Sequence, residues 1–171
     1  IIISVLSFLF SFFRKIAEGK LLLREEDLLQ ITNMDSLTGL ATPHFTETIL
    51  SIELNRFKRT QSLFCVMLIQ VDQLNTLQKP IGREYKNYLL KNIAQLFLDL
   101  LRSHDIPCRW KNETFLILLP DSSLEQAHLL AERLRLSVEN HEFTFNNRRD
   151  RITLSIGISE INVNVEETIT R

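Results

Sequence analysis

The chain has 171 residues, 44% hydrophobic and 24% charged, which is enough for one domain with its own core plus an extension. A formal net charge of -1 excludes a broad nucleic-acid surface, so no nucleic-acid partner is expected and basic residues have to be judged locally. Two cysteines without CxxC spacing and four scattered histidines argue against a zinc site; Cys65 and Cys108 lie in apolar runs and read as buried, reduced thiols.

Residues 1–13, IIISVLSFLFSFF, carry no charge, and Arg14 and Lys15 come immediately after. As a helix this run spans about 20 Å, short of the roughly 30 Å hydrocarbon core. The expectation for residues 1–15 is the end of a transmembrane helix, with its basic flank on the cytoplasmic side; a soluble or interfacial apolar helix is the alternative. In residues 16–34, Leu21, Leu28 and Ile31 recur at near-heptad spacing with Leu22 and Leu29 beside them. This reads as a linker helix that either pairs with a second copy or packs on its own domain, and Gly19 weakens it.

Asp35 to Leu40, DSLTGL, breaks that helix: Asp35 or Ser36 can cap the next one, and Gly39 permits an unusual backbone angle. Pro43 opens a helix over 43–59. The continuous apolar run 63–69, LFCVMLI, has the length and flanks of a central strand covered on both faces. It delivers Asp72 to the end of a strand, where chemistry is often placed. Leu89, Ile93, Leu96 and Leu100 mark the apolar side of a helix over 84–103.

Ile106–Trp110 and Phe115–Leu119 then flank a hairpin turn at Lys111-Asn112. Ser123 begins a helix over 124–140. Phe143 and Phe145 alternate with polar neighbours as in a strand, Asn146–Asp150 reads as a polar hairpin loop, and Ile152, Leu154, Ile156 and Ile158 alternate along a last strand. The order helix, strand, helix, hairpin, helix, hairpin predicts an α/β layered domain with about five strands in a mixed sheet.

This order and several motifs resemble a GGDEF domain, the diguanylate cyclase family, from about Ile31 to Arg171. DSLTGL at 35–40 is similar to the family's D-x-L-T-G-L, although Thr42-Pro-His44 replaces the usual N-R-R. LFCVMLIQVDQLN resembles the strand ending in D-x-D-x-F-K, AERLR at 131–135 the A-E-R-L-R helix, and TLSIGIS at 153–159 the T-V-S-I-G-V-A strand. The resemblance implies an α/β GGDEF, nucleotidyl cyclase-like fold, with a mixed five-stranded sheet flanked by helices and an N-terminal helical extension. Residues 165–171 read as the start of a final helix cut short.

The resemblance also implies where catalysis would sit, and there the sequence departs from the family. The first metal-binding Asp falls on Gln70; the second survives as Asp72. The Phe-Lys near the triphosphate is Leu74-Asn75, and the guanine-contacting Asn and Asp fall on Gln78 and Asn87. The G-G-D/E-E-F turn reads Lys111-Asn112-Glu113-Thr114-Phe115, keeping the acidic third position and the Phe. Magnesium wants hard oxygen ligands, preferably carboxylates shared with phosphates, so it is expected only if a residual site exists at Asp72 and Glu113. No other cofactor is expected. Arg102-Ser-His-Asp105 matches the family's R-x-x-D inhibitory site, which implies that Arg102 and Asp105 bind cyclic di-GMP: Arg offers a planar fork to phosphate or a guanine edge, and Asp accepts from guanine N–H groups.

The expectation is a membrane-tethered, catalytically degenerate GGDEF domain at the bacterial inner membrane, its globular part in the cytoplasm. It would receive cyclic di-GMP at R-x-x-D or regulate a partner, such as an EAL phosphodiesterase domain or a second copy joined through 16–34. A weakly active cyclase making cyclic di-GMP from two GTP, or a nucleotide-independent dimerisation scaffold, stands beside it.

Overall fold

A computed structural model of the protein describes residues 33–161. The segments expected as a membrane helix at 1–15 and as a final helix at 165–171 lie outside the described residues, as does all of the 16–34 linker except Asn33 and Met34. Among the described residues no helix is long and apolar enough to cross a membrane.

The elements in chain order are α1 (Pro43–Thr60), β1 (Phe64–Val71), α2 (Leu74–Gln78), α3 (Arg83–Leu100), β2 (Ile106–Lys111), β3 (Thr114–Pro120), α4 (Leu124–Asn140), β4 (Phe143–Phe145), β5 (Arg148–Asp150) and β6 (Leu154–Glu160). β2, β3, β1 and β6 form a four-stranded sheet in that order, and every neighbouring pair is antiparallel. β1 is therefore interior, as its apolar run predicts, and all of its residues but Gln70 are buried.

Because side chains alternate across a strand, β1 serves two cores. Cys65, Met67, Ile69 and Val71 join Phe115, Ile117 and Leu119 of β3 beneath α3 and α4. Phe64, Val66 and Leu68 join Leu116 and Leu118 on the opposite face, where Leu50 of α1 covers them. Phe97 of α3 meets Phe115 edge-on, with ring centroids 5.3 Å apart, which locks α3 over the middle of the sheet. Burial pushes the thiols of Cys65 and Cys108 up to about 11 and about 12, so both stay protonated and unreactive at neutral pH.

The layered α/β fold agrees with the sequence reading, but several details differ. Among the described residues the main sheet has four antiparallel strands where five mixed ones were expected, and its parallel element there is the bridge between Ala41 and Cys108. Arg148–Asp150, read as loop, is a strand that pairs with β4 in a separate two-stranded ribbon. The turn of that ribbon is Asn146-Asn147, and both residues are left-handed, with φ of 47° and 65°, which asparagine tolerates. The ribbon is fastened to α3 by Tyr85 and Tyr88, whose rings lie 5.4 and 5.2 Å from that of Phe145, and by the Tyr85 hydroxyl, which donates to Asp150. The third difference is the turn between β2 and β3, which is Asn112-Glu113, one residue later than expected, because a bulge between Arg109 and Lys111 shifts the register.

DSLTGL does not cap a helix. It folds back on itself beside β2: the Asp35 N–H donates to the Leu40 carbonyl at 2.7 Å, and Gly39 takes φ +70°, a region that favours glycine. Asp35 Oδ1 accepts from the backbone N–H and the hydroxyl of Thr38, at 2.9 and 2.7 Å, and from Arg109 at 3.2 Å. Ala41 bonds both Pro107 and Arg109 through the backbone at 3.0 Å. The motif thus seals the edge of β2, and Arg109 is a structural residue. α4 starts on a reciprocal capping box between Ser123 and Gln126, a device that contributes about 1 kcal/mol.

Burial alone would raise the Asp35 carboxyl, but the Thr38 hydrogen bonds and the Arg109 charge outweigh it and hold the group below its ordinary value. A lowered folded value means that the contribution is complete above the unfolded value near ~3.9 and is lost as pH falls through the folded one. Asp35→Asn is therefore expected to cost about 1–3 kcal/mol at pH 7. The gap between the urea midpoints of variant and wild type should narrow as pH falls from the unfolded value through the lower folded one. Phe97→Ala should cost about 3–5 kcal/mol in the same titration, independent of pH.

Candidate functional site

The two halves of the β2–β3 hairpin place the sequence-predicted residues in two separate sites. At the turn, the register of β1 against β3 and β6 sets Gln70 opposite both Thr114 and Ser155. The Val71 N–H donates to the Glu113 carbonyl at 3.1 Å, so the turn rests on the end of β1. Asn112 takes φ +49° there, which asparagine supports without glycine.

Gln70, Thr114, Asp72 and Glu113 each already have an internal partner. Gln70 Oε1 accepts from the Thr114 hydroxyl at 2.8 Å. The Asp72 oxygens accept from the Thr153 and Ser155 hydroxyls, both at 2.8 Å, and its N–H donates to the Thr153 carbonyl at 3.0 Å. Glu113 accepts from Asn75 Nδ2 at 3.0 Å through one oxygen and faces Lys86 Nζ at 3.3 Å through the other. Lys86 also reaches Asn75 Oδ1 at 3.4 Å, which closes a triangle of carboxylate, ammonium and amide. Lys111 extends from the end of β2 as an exposed residue.

Magnesium needs about six oxygen ligands with enough negative charge to offset its own. Here Gln70 is a neutral amide bonded to a hydroxyl, and the carboxylate of Glu113 faces a cation. Asp72 and Glu113 share no hydrogen-bond partner, and no group of three or more His, Cys, Asp or Glu able to hold a metal occurs among the described residues. The residues as arranged do not fit magnesium.

The other half lies beyond the C-terminus of α3. Arg102 and Asp105 fold into a tight turn: the Asp105 N–H donates to the Arg102 carbonyl at 3.1 Å, and Asp105 Oδ2 accepts the Arg102 N–H at 2.8 Å. The aspartate therefore grips its partner's backbone instead of forming the surface ion pair that R-x-x-D spacing often makes. Asp105 is only 7% exposed, and its second oxygen, Oδ1, is buried without a partner. It borders a pocket of about 350 Å³, walled by Arg102, Ser122, Gln126, Leu129 and Arg133 among others. Among the described residues, neither guanidinium is engaged in an ion pair there. Such a cavity offers two cations, a carboxylate residue, an amide and an apolar wall, a set suited to an anion that also carries N–H donors.

The structure brings Arg102 and Asp105 together in one turn, as their spacing suggests. Sequence reasoning missed Arg133, visible only as one letter of AERLR, because nothing local shows that this side of α4 looks across at the R-x-x-D turn. It also missed Lys86, whose only signal is a lysine in the first turn of a helix.

Residues 32–171 match the family model described as Diguanylate cyclase, GGDEF domain. The chain is 26% identical over 147 residues to Diguanylate cyclase A of Treponema denticola, covering 84% of this chain and 40% of that protein. It is 30% identical over 149 residues to Probable diguanylate cyclase DgcE of Escherichia coli, covering 87% of this chain and 13% of that protein. The chain thus spans less than half the length of these curated relatives. The fold is shared with the FimX GGDEF domain from Pseudomonas aeruginosa at a TM-score of 0.74 and 24% identity, over 77% of this chain and 82% of that one. Motifs, layered sheet and family model coincide over the same residues, and the chain belongs to the GGDEF family.

Proposed function

We propose that this chain is a catalytically silent GGDEF domain that serves cyclic di-GMP signalling as a receptor, with the dinucleotide held at Arg102 and Asp105. The observation that carries this reading is the pocket that Asp105 lines together with two guanidinium groups, Arg102 and Arg133, neither of which has an ion-pair partner among the described residues. Guanine presents N–H donors on one edge and acceptors for an Arg fork on another, and its phosphates suit the guanidinium groups.

The same geometry argues against turnover. Attack on an α-phosphate depends on positioning and on metal-assisted charge stabilisation. Gln70, Asp72 and Glu113 are each committed to protein partners instead. The apolar residues 1–13 followed by Arg14 and Lys15 support a membrane tether, and the leucine repeat at 21–31 supports pairing with a second copy. A neighbouring effector domain, of EAL or another type, would read the ligand out.

Titration calorimetry of the full chain with cyclic di-GMP tests this. Wild type is expected to bind and Arg102→Ala to bind at least about tenfold more weakly, since a charge-assisted contact is worth about 1.5–3 kcal/mol. Arg133→Ala should weaken binding as well, because it removes the cation on the opposite wall. Absence of heat with wild type would remove the receptor reading and leave the scaffold. In parallel, incubation with GTP and magnesium should release no pyrophosphate; release at a steady rate would restore the cyclase.

A further inference from the structure

We propose that Gln126 is a specificity-determining residue of the Asp105 pocket, fixed by its helix cap so that it meets the ligand as a hydrogen-bond donor. This rests on the reading of that pocket as the ligand site.

Gln126 has two roles at once. In the capping box of α4, the Ser123 N–H donates to Gln126 Oε1 at 3.0 Å, and the Gln126 N–H donates to Ser123 Oγ at 3.2 Å. A backbone N–H can only donate, so the amide atom that meets it is the oxygen, and the chemistry of the cap sets which way the amide is turned. With Oε1 held against the Ser123 backbone, the other end of the amide is an NH₂ group, which carries two donors and no acceptor. It has no hydrogen-bond partner among the described residues.

The same side chain lines the pocket. Gln126 and Arg133 stand seven residues apart on α4, so they share one side of the helix, about 10 Å apart along its axis. Leu129 and Leu130 lie between them and line the pocket as well, and Leu129 is 64% exposed. α4 therefore presents a donor at each end of an apolar strip, and Arg102 adds a third from the facing turn. Such a wall suits a ligand with acceptors at two edges and a flat face between, as phosphate oxygens and the O6/N7 edge of guanine provide. A glutamine free to turn over could equally accept from a donor edge; this one would have to give up its cap to do so.

The test separates the cap from the donor, using titration calorimetry of the full chain with cyclic di-GMP and urea unfolding of the same samples. Gln126→Glu keeps an oxygen for the Ser123 N–H but puts a carboxylate oxygen where the NH₂ stood. It is expected to unfold at the wild-type midpoint and to bind at least about tenfold more weakly. Gln126→Ala, which adds no charge, is expected to weaken binding about threefold to tenfold and to lower the midpoint. Ser123→Ala removes the capping hydroxyl and keeps the glutamine, so the midpoint should fall while binding stays within about twofold of wild type. Wild-type affinity in Gln126→Glu, or equal weakening in Ser123→Ala and Gln126→Ala, would overturn the role of Gln126 and leave the receptor reading standing. No heat with wild type itself would remove the receptor reading, and this role with it.

Discussion

The pairing of β1 with β3 is the constraint on which both sites depend. Seven consecutive residue pairs, from Phe64–Pro120 to Gln70–Thr114, fix the hairpin against the one strand that is covered on both faces. A slip of one residue would turn Met67 and Ile69 out of one core and Val66 and Leu68 out of the other, so the register is held by the burial of two cores at once. The same register delivers Glu113 to the end of β1 and sends Asp105 to the far end of β2. The chemistry of this protein is set by where two strands lock together before any polar side chain is considered.

The two ends of the hairpin then differ in how their polar groups are satisfied. At the turn, the polar side chains are satisfied from within: a threonine hydroxyl for the amide of Gln70, a lysine and an asparagine for Glu113, hydroxyls for Asp72. A half-emptied polar site is costly, and here every acceptor named has a donor. At the R-x-x-D end the balance is reversed. Asp105 commits one oxygen to the backbone of Arg102 and keeps the other buried and unmatched. Groups satisfied from within hold a shape, whereas the two guanidinium groups on the pocket wall keep their charge open to a ligand. That contrast, more than the spelling of either motif, distinguishes the two ends.

Much of the fold was legible in the residues because it derives from periodicity. The apolar run of β1, the alternation in β6 and the broad apolar side of α3 each state their own burial. The ribbon of β4 and β5 was not legible, because Arg148–Asp150 is polar throughout and owes its strand form to pairing with Phe143–Phe145 and to the Tyr85 hydroxyl across 65 residues. The turn was misplaced by one residue because a bulge has no reliable local signature when Trp110 and Lys111 are both compatible with a strand. Site residues divide in the same way. Arg102 and Asp105 are three apart and could be found by spacing, whereas the Lys86–Glu113 contact joins residues 27 apart and the Arg109–Asp35 contact residues 74 apart. Only the tertiary fold writes such pairs.

α3 links these ends in a way that the pairwise contacts conceal. Its 18 residues make a rod about 27 Å long, with Lys86 in its first turn and the Arg102–Asp105 turn just past its last residue. No single small molecule can touch both. Phe97 pins the rod to the sheet near one end, and Tyr85 ties it to the ribbon near the other. A ligand drawn into the pocket would pull on the same stiff body whose opposite tip carries the ammonium at Glu113, so the two sites share a mechanical element without sharing a ligand.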